Sequence, residues 1–514
     1  MNRRNLLSLT VALAAVLLGG CATYTETQRE TVQQRRAGNV ASVAETAKKN
    51  LDQHKDDRHA VIYALEAGSA YRDLGLADLP PPSPPPVDPK AVSTTAAATA
   101  EPPTAPPSPF EISNRAFSLA DDKIDDFEEK ARHSIGAGIT TALVNPEQTP
   151  YKGMAYDKIM TSTYKGLNYL ALGDIERVRA SFNKAYKRQA DAVEENAKQI
   201  EMDKAKIDAA KKGELKDESG KTAKSDYDLE KSQSDPKAKL ALDELNVSLD
   251  ARDKAYGDFV NPFTVFSDAL FMIAQASDDQ EQERASKQFQ RIATMAPQNE
   301  YLKDDVILAE KLAQKAIALP KITYVIFETG EAPHREEVKL QLPLILRDGK
   351  LIMITVPISK LQFNDIYNEN LSITASGRTF STSTISSMDS VIAADFKRAL
   401  PSIYLNAFLS AATKAMLNYE IQKQAEGTGF ASVLSIAANV YTMASSHADT
   451  RTWQSLPKSF AYARFDTPSD NTVTIAAGDR NKIIKLAPTS TVNLIYVRQV
   501  QPATELLTHA IVLK

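Results

Sequence analysis

The hydrophobic period of this chain first changes near Lys321, and that change restricts the fold more than any other feature. Up to about residue 318, apolar residues return every three or four positions, the period of helices buried along one face. From Lys321 they alternate, as in half-buried strands. Ile322, Tyr324 and Ile326 share a face, Gly330 to Pro333 turns the chain, and Val338, Leu340 and Leu342 continue. Leu351–Ile358 is a further run, with weaker ones at Asn370–Ser376 and Arg378–Thr384. Strands return at Ser459–Phe465, Thr472–Ala477, Lys482–Leu486, Val492–Val500 and Leu507–Val512. Between the two groups lie a helix from about Ser390 to Ala425, bent at Pro401, and an apolar helix, Phe430 to Ser445. Both are too short in apolar residues to span a bilayer, so packing over the sheet is their reading. The expected class is α+β. Helical hairpins occupy 44–318, and a β-sandwich-like domain with a helical hairpin inserted at about 389–446 occupies 319–514.

Within the helical part, Gly166, Tyr169 and Gly173 stand at offsets 0, 3 and 7, followed by Phe182 and Ala185 at offsets 16 and 19. This spacing resembles the tetratricopeptide repeat, in which small residues let two helices cross closely and an aromatic ring fills the gap. Gly173-Asp174 supplies the turn and the cap of the second helix. Gly68, Tyr71 and Gly75 repeat the first offsets. Their second helix is displaced by a proline-rich tract, Pro80 to Pro109, that holds 12 of the 26 prolines. Beyond it Phe117 and Ala120 keep the separation of Phe182 and Ala185. The reading is one repeat interrupted by a disordered insertion, 76–109. A third, irregular repeat is carried by Ala285, Phe289 and Pro297, with a long turn from Ala276 to Glu283. Three is the usual minimum for a stable stack, whose concave face would bind a protein segment.

The charged stretch 187–258 carries a heptad-like alternation. Tyr186, Ala190, Val193, Ala197, Ile200, Lys204 and Ile207 form one half; Ala238, Leu242, Leu245, Leu249, Arg252 and Tyr256 form the other. An antiparallel coiled-coil hairpin projecting from the body is expected, either as a docking arm or as a solvated spacer.

Residues 1–20 have the anatomy of a signal peptide: Arg3 and Arg4, then an apolar run from Leu6 to Leu18. Leu18-Gly19-Gly20-Cys21 resembles the bacterial lipobox, with cleavage between Gly20 and Cys21. Cys21 is the single cysteine of the chain, so no internal disulfide forms. The resemblance implies a thioether-linked diacylglycerol and a further acyl chain, palmitate among them, and membrane attachment through that anchor. Ala22, rather than Asp, implies the outer membrane, facing the periplasm. Residues 21–43 are polar and read as a flexible tether.

Taken in order, further segments resemble an uncharacterised bacterial lipoprotein family with tetratricopeptide-like repeats and a C-terminal β domain. They are Cys21, Asn168–Asp174, Asn261-Pro262-Phe263, Ala296-Pro297-Gln298-Asn299, Phe327–Pro333 with Glu337, and Ala448–Trp453 with Leu456-Pro457. The family implies architecture and an envelope location; it supplies no catalytic residues.

Motifs for chemistry are lacking. The six histidines, His54, His59, His133, His334, His447 and His509, make no HExxH pair. No nucleophile elbow, phosphate loop or dinucleotide fingerprint occurs. No catalytic residue, metal or cofactor is nominated. Carboxylate-based hydrolases leave no short motif, so an enzyme stays open as the alternative. Lys plus Arg is 61 against 65 for Asp plus Glu, which argues against nucleic-acid binding. Asp449, Arg451 and Trp453 stand out as a structural latch or a site. The leading expectation is an outer-membrane lipoprotein acting as a scaffold or adaptor for envelope protein partners. The alternative is an envelope enzyme or a peptidoglycan-binding or other glycan-binding module working through the C-terminal domain.

Overall fold

The computed structural model describes residues 24–81, 106–136, 146–212, 214–215, 226–252, 256, 259–425 and 447–514. The chain is mixed α+β, with helices in its N-terminal part and sheets of mainly antiparallel strands in its C-terminal part. Among the described residues, twelve α-helices precede the first strand: α1 (Tyr24–Thr27), α2 (Arg29–Arg36), α3 (Val40–His54), α4 (Ala60–Leu76), α5 (Pro109–Gly136), α6 (Ala155–Ala171), α7 (Ile175–Lys212), α8 (Leu229–Gln233), α9 (Pro236–Asp250), α10 (Pro262–Gln275), α11 (Asp279–Met295) and α12 (Tyr301–Ala313).

The helices pack as neighbouring pairs. In α4 and α5, a Cβ on Gly68 would lie 2.3 Å from the Phe117 ring, and one on Gly75 would lie 2.7 Å from Phe110. The pair therefore closes despite the long insertion between its helices. In α6 and α7, Gly166 meets Phe182 in the same way, at 3.0 Å. Gly173 has a different task. Its φ is +75° and nothing approaches its Cβ position, so it serves the turn expected of Gly173-Asp174 and takes no part in the close helix crossing. The third turn is short: Asp278 caps α11 by accepting from the Glu281 N–H at 2.9 Å, so only 276–278 separate α10 from α11.

Among the described residues, eleven strands follow: β1 (Ile322–Thr329), β2 (His334–Ile345), β3 (Leu351–Gln362), β4 (Ser372–Ala375), β5 (Arg378–Ser381), β6 (Ser383–Ser387), β7 (Ser459–Asp466), β8 (Thr472–Ala477), β9 (Arg480–Lys485), β10 (Val492–Gln499) and β11 (Leu507–Val512). Helix α13 (Met388–Ala425), with Pro401 inside it, lies between β6 and β7. The second helix expected at Phe430–Ser445 lies outside the described residues.

The strands make three sheets where a two-sheet sandwich is expected. The five-stranded sheet runs β11-β10-β1-β7-β6, with β1 and β10 parallel. β1 is enclosed on both sides, so the following strand has no edge to join. β2 instead pairs only with β3 as a long ribbon, and β5-β4-β8-β9 forms a four-stranded sheet. The two flanks of β1 and β10 are buried, and these strands are buried at every position.

The tether reading of 21–43 is corrected over its described part. α1 and α2 are packed, with Tyr24, Thr31 and Arg35 buried. Their low hydrophobicity is offset by pairing: the Arg35 guanidinium meets Glu66 at 2.9 Å, both side chains 4% exposed, and Arg36 meets Glu331 at 2.6 Å. The projecting hairpin is corrected as well. α9 packs on α13 and β2, and α7 packs on α13, with Gln199 donating to Ser402 and Lys206 to Asn406. Arg252, expected in a seam, is paired with Asp365 and Asp389.

Helices and sheet share one hydrophobic core. α4 is buried at every residue and α10 at every residue from 262 to 274. Phe263 stacks on Phe460 of β7 with ring centroids 3.7 Å apart. The helical face that an open solenoid would offer to a partner is therefore filled by the sheet. The boundary at 318/319 is a change of secondary structure within one packed body.

Candidate functional site

α4 explains the junction between the two halves. Its sequence is an apolar run broken by Glu66, Ser69, Arg72 and Asp73, which recur at helical spacing and so share a side. All four are buried. Glu66 accepts from Arg35 and from the Gln454 N–H at 2.6 Å. Asp73 pairs with Arg498 of β10 at 3.0 Å, and Arg498 also contacts Glu328 of β1. Glu328 in turn accepts from the hydroxyls of Tyr164 and Tyr496. The Arg72 guanidinium lies 4.8 Å from the Tyr164 ring centroid and 4.5 Å from that of Tyr496. Three cations, Arg35, Arg72 and Arg498, thus face three carboxylates, Glu66, Asp73 and Glu328. Burial raises the Asp73 carboxyl above its ordinary value, against the pull of Arg498, Arg35 and Arg72. A charge-balanced, enclosed network of this kind fixes orientation.

Trp453 closes one side of it, and Arg451 lies two residues earlier on the same loop. Trp453 is fully buried, and its indole Nε1 donates to Ser69 at 2.9 Å and to Ser455 at 2.8 Å. Its ring meets Phe117 and Tyr164 edge-on. Arg451 Nε and Nη2 each reach Asp449 at 2.8 Å, while Nη1 donates to the Thr149 carbonyl at 2.9 Å. Burial alone would raise the Asp449 carboxyl, yet the Arg451 charge and its hydrogen bonds hold it below the ordinary value. The triplet Asp449, Arg451 and Trp453 has the geometry of a latch between loop 447–458, α4 and the segment before α6.

A second buried polar group adjoins it. Arg335 of β2 stacks on Phe396, and among the described residues its Nε and Nη2 have no hydrogen-bond partner. Burial raises Asp157 to about 7, although Oδ2 accepts from Tyr151 and from the Met154 N–H. Burial likewise raises Asp395 to about 6, against Arg335 and Arg398. Burial and the neighbouring Arg451 charge lower His59 to about 4.

Among the described residues, one accessible feature is a groove of about 700 Å³. One wall is the arm between α2 and α3, with Gly38 and Val40; another is the end of α4, with Leu79. The third comes from Lys482 of β9 and from Leu506 and Leu507 at the start of β11. β9 and β11 are the outer strands of their sheets. Outer strands carry backbone N–H and C=O groups without a ladder partner, which an extended segment can pair with. Arg35, Asp73 and Thr504 line a smaller void of about 30 Å³ that also touches Gly38, Val40 and Leu507. The buried network therefore underlies the groove.

Among the sequence-selected positions, Gly68, Tyr71, Gly166, Phe182, Ala185 and Phe289 are buried in the helix pairs, and Tyr169 is half-buried beneath Arg177. Gly20 and Cys21 lie outside the described residues. Arg35, Glu66, Arg72, Asp73, Glu328 and Arg498 escape motif reasoning. Their signal is charge placed inside otherwise apolar helical or strand runs. Among the described residues, no group of three or more His, Cys, Asp or Glu could hold a metal ion, and no helix is long and apolar enough to cross a membrane. No family model, curated protein or solved structure matches the chain.

Proposed function

We propose that this protein is an outer-membrane lipoprotein of the periplasmic face that serves as a scaffold for an envelope protein partner. The observation that carries this reading is the groove between the outer strands β9 and β11, walled by the N-terminal arm. An extended partner segment would add main-chain hydrogen bonds there and seat apolar side chains on Val40, Leu79 and Leu507. The Leu18–Cys21 signal supports the anchor. Tyr24, three residues after Cys21, is packed against Tyr63 and Glu66. A lipid on Cys21 would thus hold the body within about 10 Å of the bilayer, given ~3.5 Å per extended residue. The close Gly68–Phe117 and Gly166–Phe182 approaches support the tetratricopeptide-like reading of the helix pairs and the resemblance to the repeat-bearing lipoprotein family.

A photo-crosslinking residue at Lys482, in intact cells, tests the groove. One stoichiometric protein adduct is expected, absent when the probe sits at the exposed Ile307. Glycan adducts without protein would favour the glycan-binding or enzyme alternative. Cys21→Ser tests the anchor separately: the precursor should stay uncleaved, and normal outer-membrane fractionation of this variant would refute the lipoprotein reading.

A further inference from the structure

Helix α7 runs for 38 residues, and its middle presents apolar side chains to solvent. Tyr186 is 60% exposed, Val193 50% and Ile200 50%. Ala190, Ala197 and Lys204 are exposed between and beyond them. These six positions alternate in steps of four and three, so they form a single stripe. α9, the expected partner of this seam, packs elsewhere, on α13 and β2. The opposite side of α7 is the packed one, with Phe182, Ala185, Arg188 and Ala192 buried. A heptad seam is therefore intact on the surface and has no cover within the described chain.

We infer that this stripe is an antiparallel two-fold contact between two copies of the chain. Antiparallel pairing about a point between residues 194 and 196 brings large residues opposite small ones. Val193 meets the partner's Ala197, Ala190 meets the partner's Ile200, and Tyr186 lies along the stem of the partner's Lys204. A parallel pairing instead sets Val193, Ile200 and Lys204 each against itself, which leaves gaps at the alanines and a like-charge pair. The exposed flank agrees with the antiparallel choice. Lys187 meets the partner's Glu201, twice by symmetry, whereas only Glu194 meets its own copy. Glu194 is already paired with Lys198 at 2.5 Å, which moderates that repulsion. The seam from 186 to 204 spans about 28 Å at 1.5 Å per residue. A contact of this size is weak in dilute solution and suits molecules confined together.

Cysteine trapping of the full chain in intact cells tests this. The unsubstituted chain, whose one thiol is Cys21, gives the background. On mild oxidation E194C should yield a species of twice the monomer mass, at least several-fold above background. K187C alone should not, while co-expression of K187C with E201C, carrying different tags, should give the mixed dimer. Adding V193D to E194C should abolish the product. No dimer from E194C, or equal yields from K187C alone, would overturn the proposal. An E194C adduct of another mass would assign the stripe to a different protein and equally overturn self-pairing.

Discussion

A Cβ at position 68 has no room: it would sit 2.3 Å from the Phe117 ring, which is itself fully buried. Gly68→Ala is expected to cost ~1–3 kcal/mol through overpacking, seen as a lowered urea midpoint with unchanged slope. Arg498→Met is expected to cost more, ~3–5 kcal/mol, because Asp73 and Glu328 lose their buried cation. The same denaturation measurement checks it. Asp157 supplies a pH signature. Burial gives it a folded value of about 7 against 3.8, so the folded chain holds its proton more tightly than the unfolded chain does. Stability should therefore decline as pH rises from about 4 to about 7. Asp157→Asn, which can still accept from the Met154 N–H, should flatten that decline; an unchanged pH profile would refute the assignment. Glycine–aromatic spacing was legible before the fold was known, because offsets along two helices encode the crossing directly. Glu66, Arg72 and Asp73 were not. Their partners, Arg35, Gln454 and Arg498, are up to 425 positions away, and single-sequence charge patterns carry no such distance.

At the scale of elements, period located most of the described strands, but the run Arg378–Thr384 merged β5 with the start of β6, which are separate strands. It failed for residues 24–36, where packing comes from ion pairs and a few tight contacts rather than from apolar area. It also failed for the pairing of α7 with α9: a heptad states which face is apolar, not which partner covers it. The long insertion between α4 and α5 leads to a further expectation. Gly75 near the end of α4 meets Phe110 at the start of α5, so the two helix ends are adjacent. Replacing 82–105 by a short Gly/Ser linker should preserve the fold and raise stability by no more than ~1 kcal/mol, since closure entropy varies slowly with loop length. Loss of folding in that variant would contradict the pairing.

At the scale of the molecule, the class α+β followed from the change of period near Lys321, but the expectation of separate helical and β domains meets a shared core. Asp305 of α12 accepts from Tyr324 and Tyr462, both at 2.7 Å, and from Arg464, which ties the last helix to β1 and β7. Arg498 ties α4 to β10, and Trp453 ties loop 447–458 to α4. Each half would leave buried charges unpaired if the other were removed. Residues 319–514 expressed alone should lack the near-ultraviolet signals of a packed core. A single body of this kind can hold the groove at fixed distance and orientation from the packed arm of α1 and α2. The only tryptophan of the chain sits at the junction itself, which makes the claim directly measurable. Thermal unfolding should be followed by Trp453 fluorescence and by helical circular dichroism on the same sample. Coincident transitions are predicted; a fluorescence change well separated from the loss of helix would mean that the two halves unfold as independent domains.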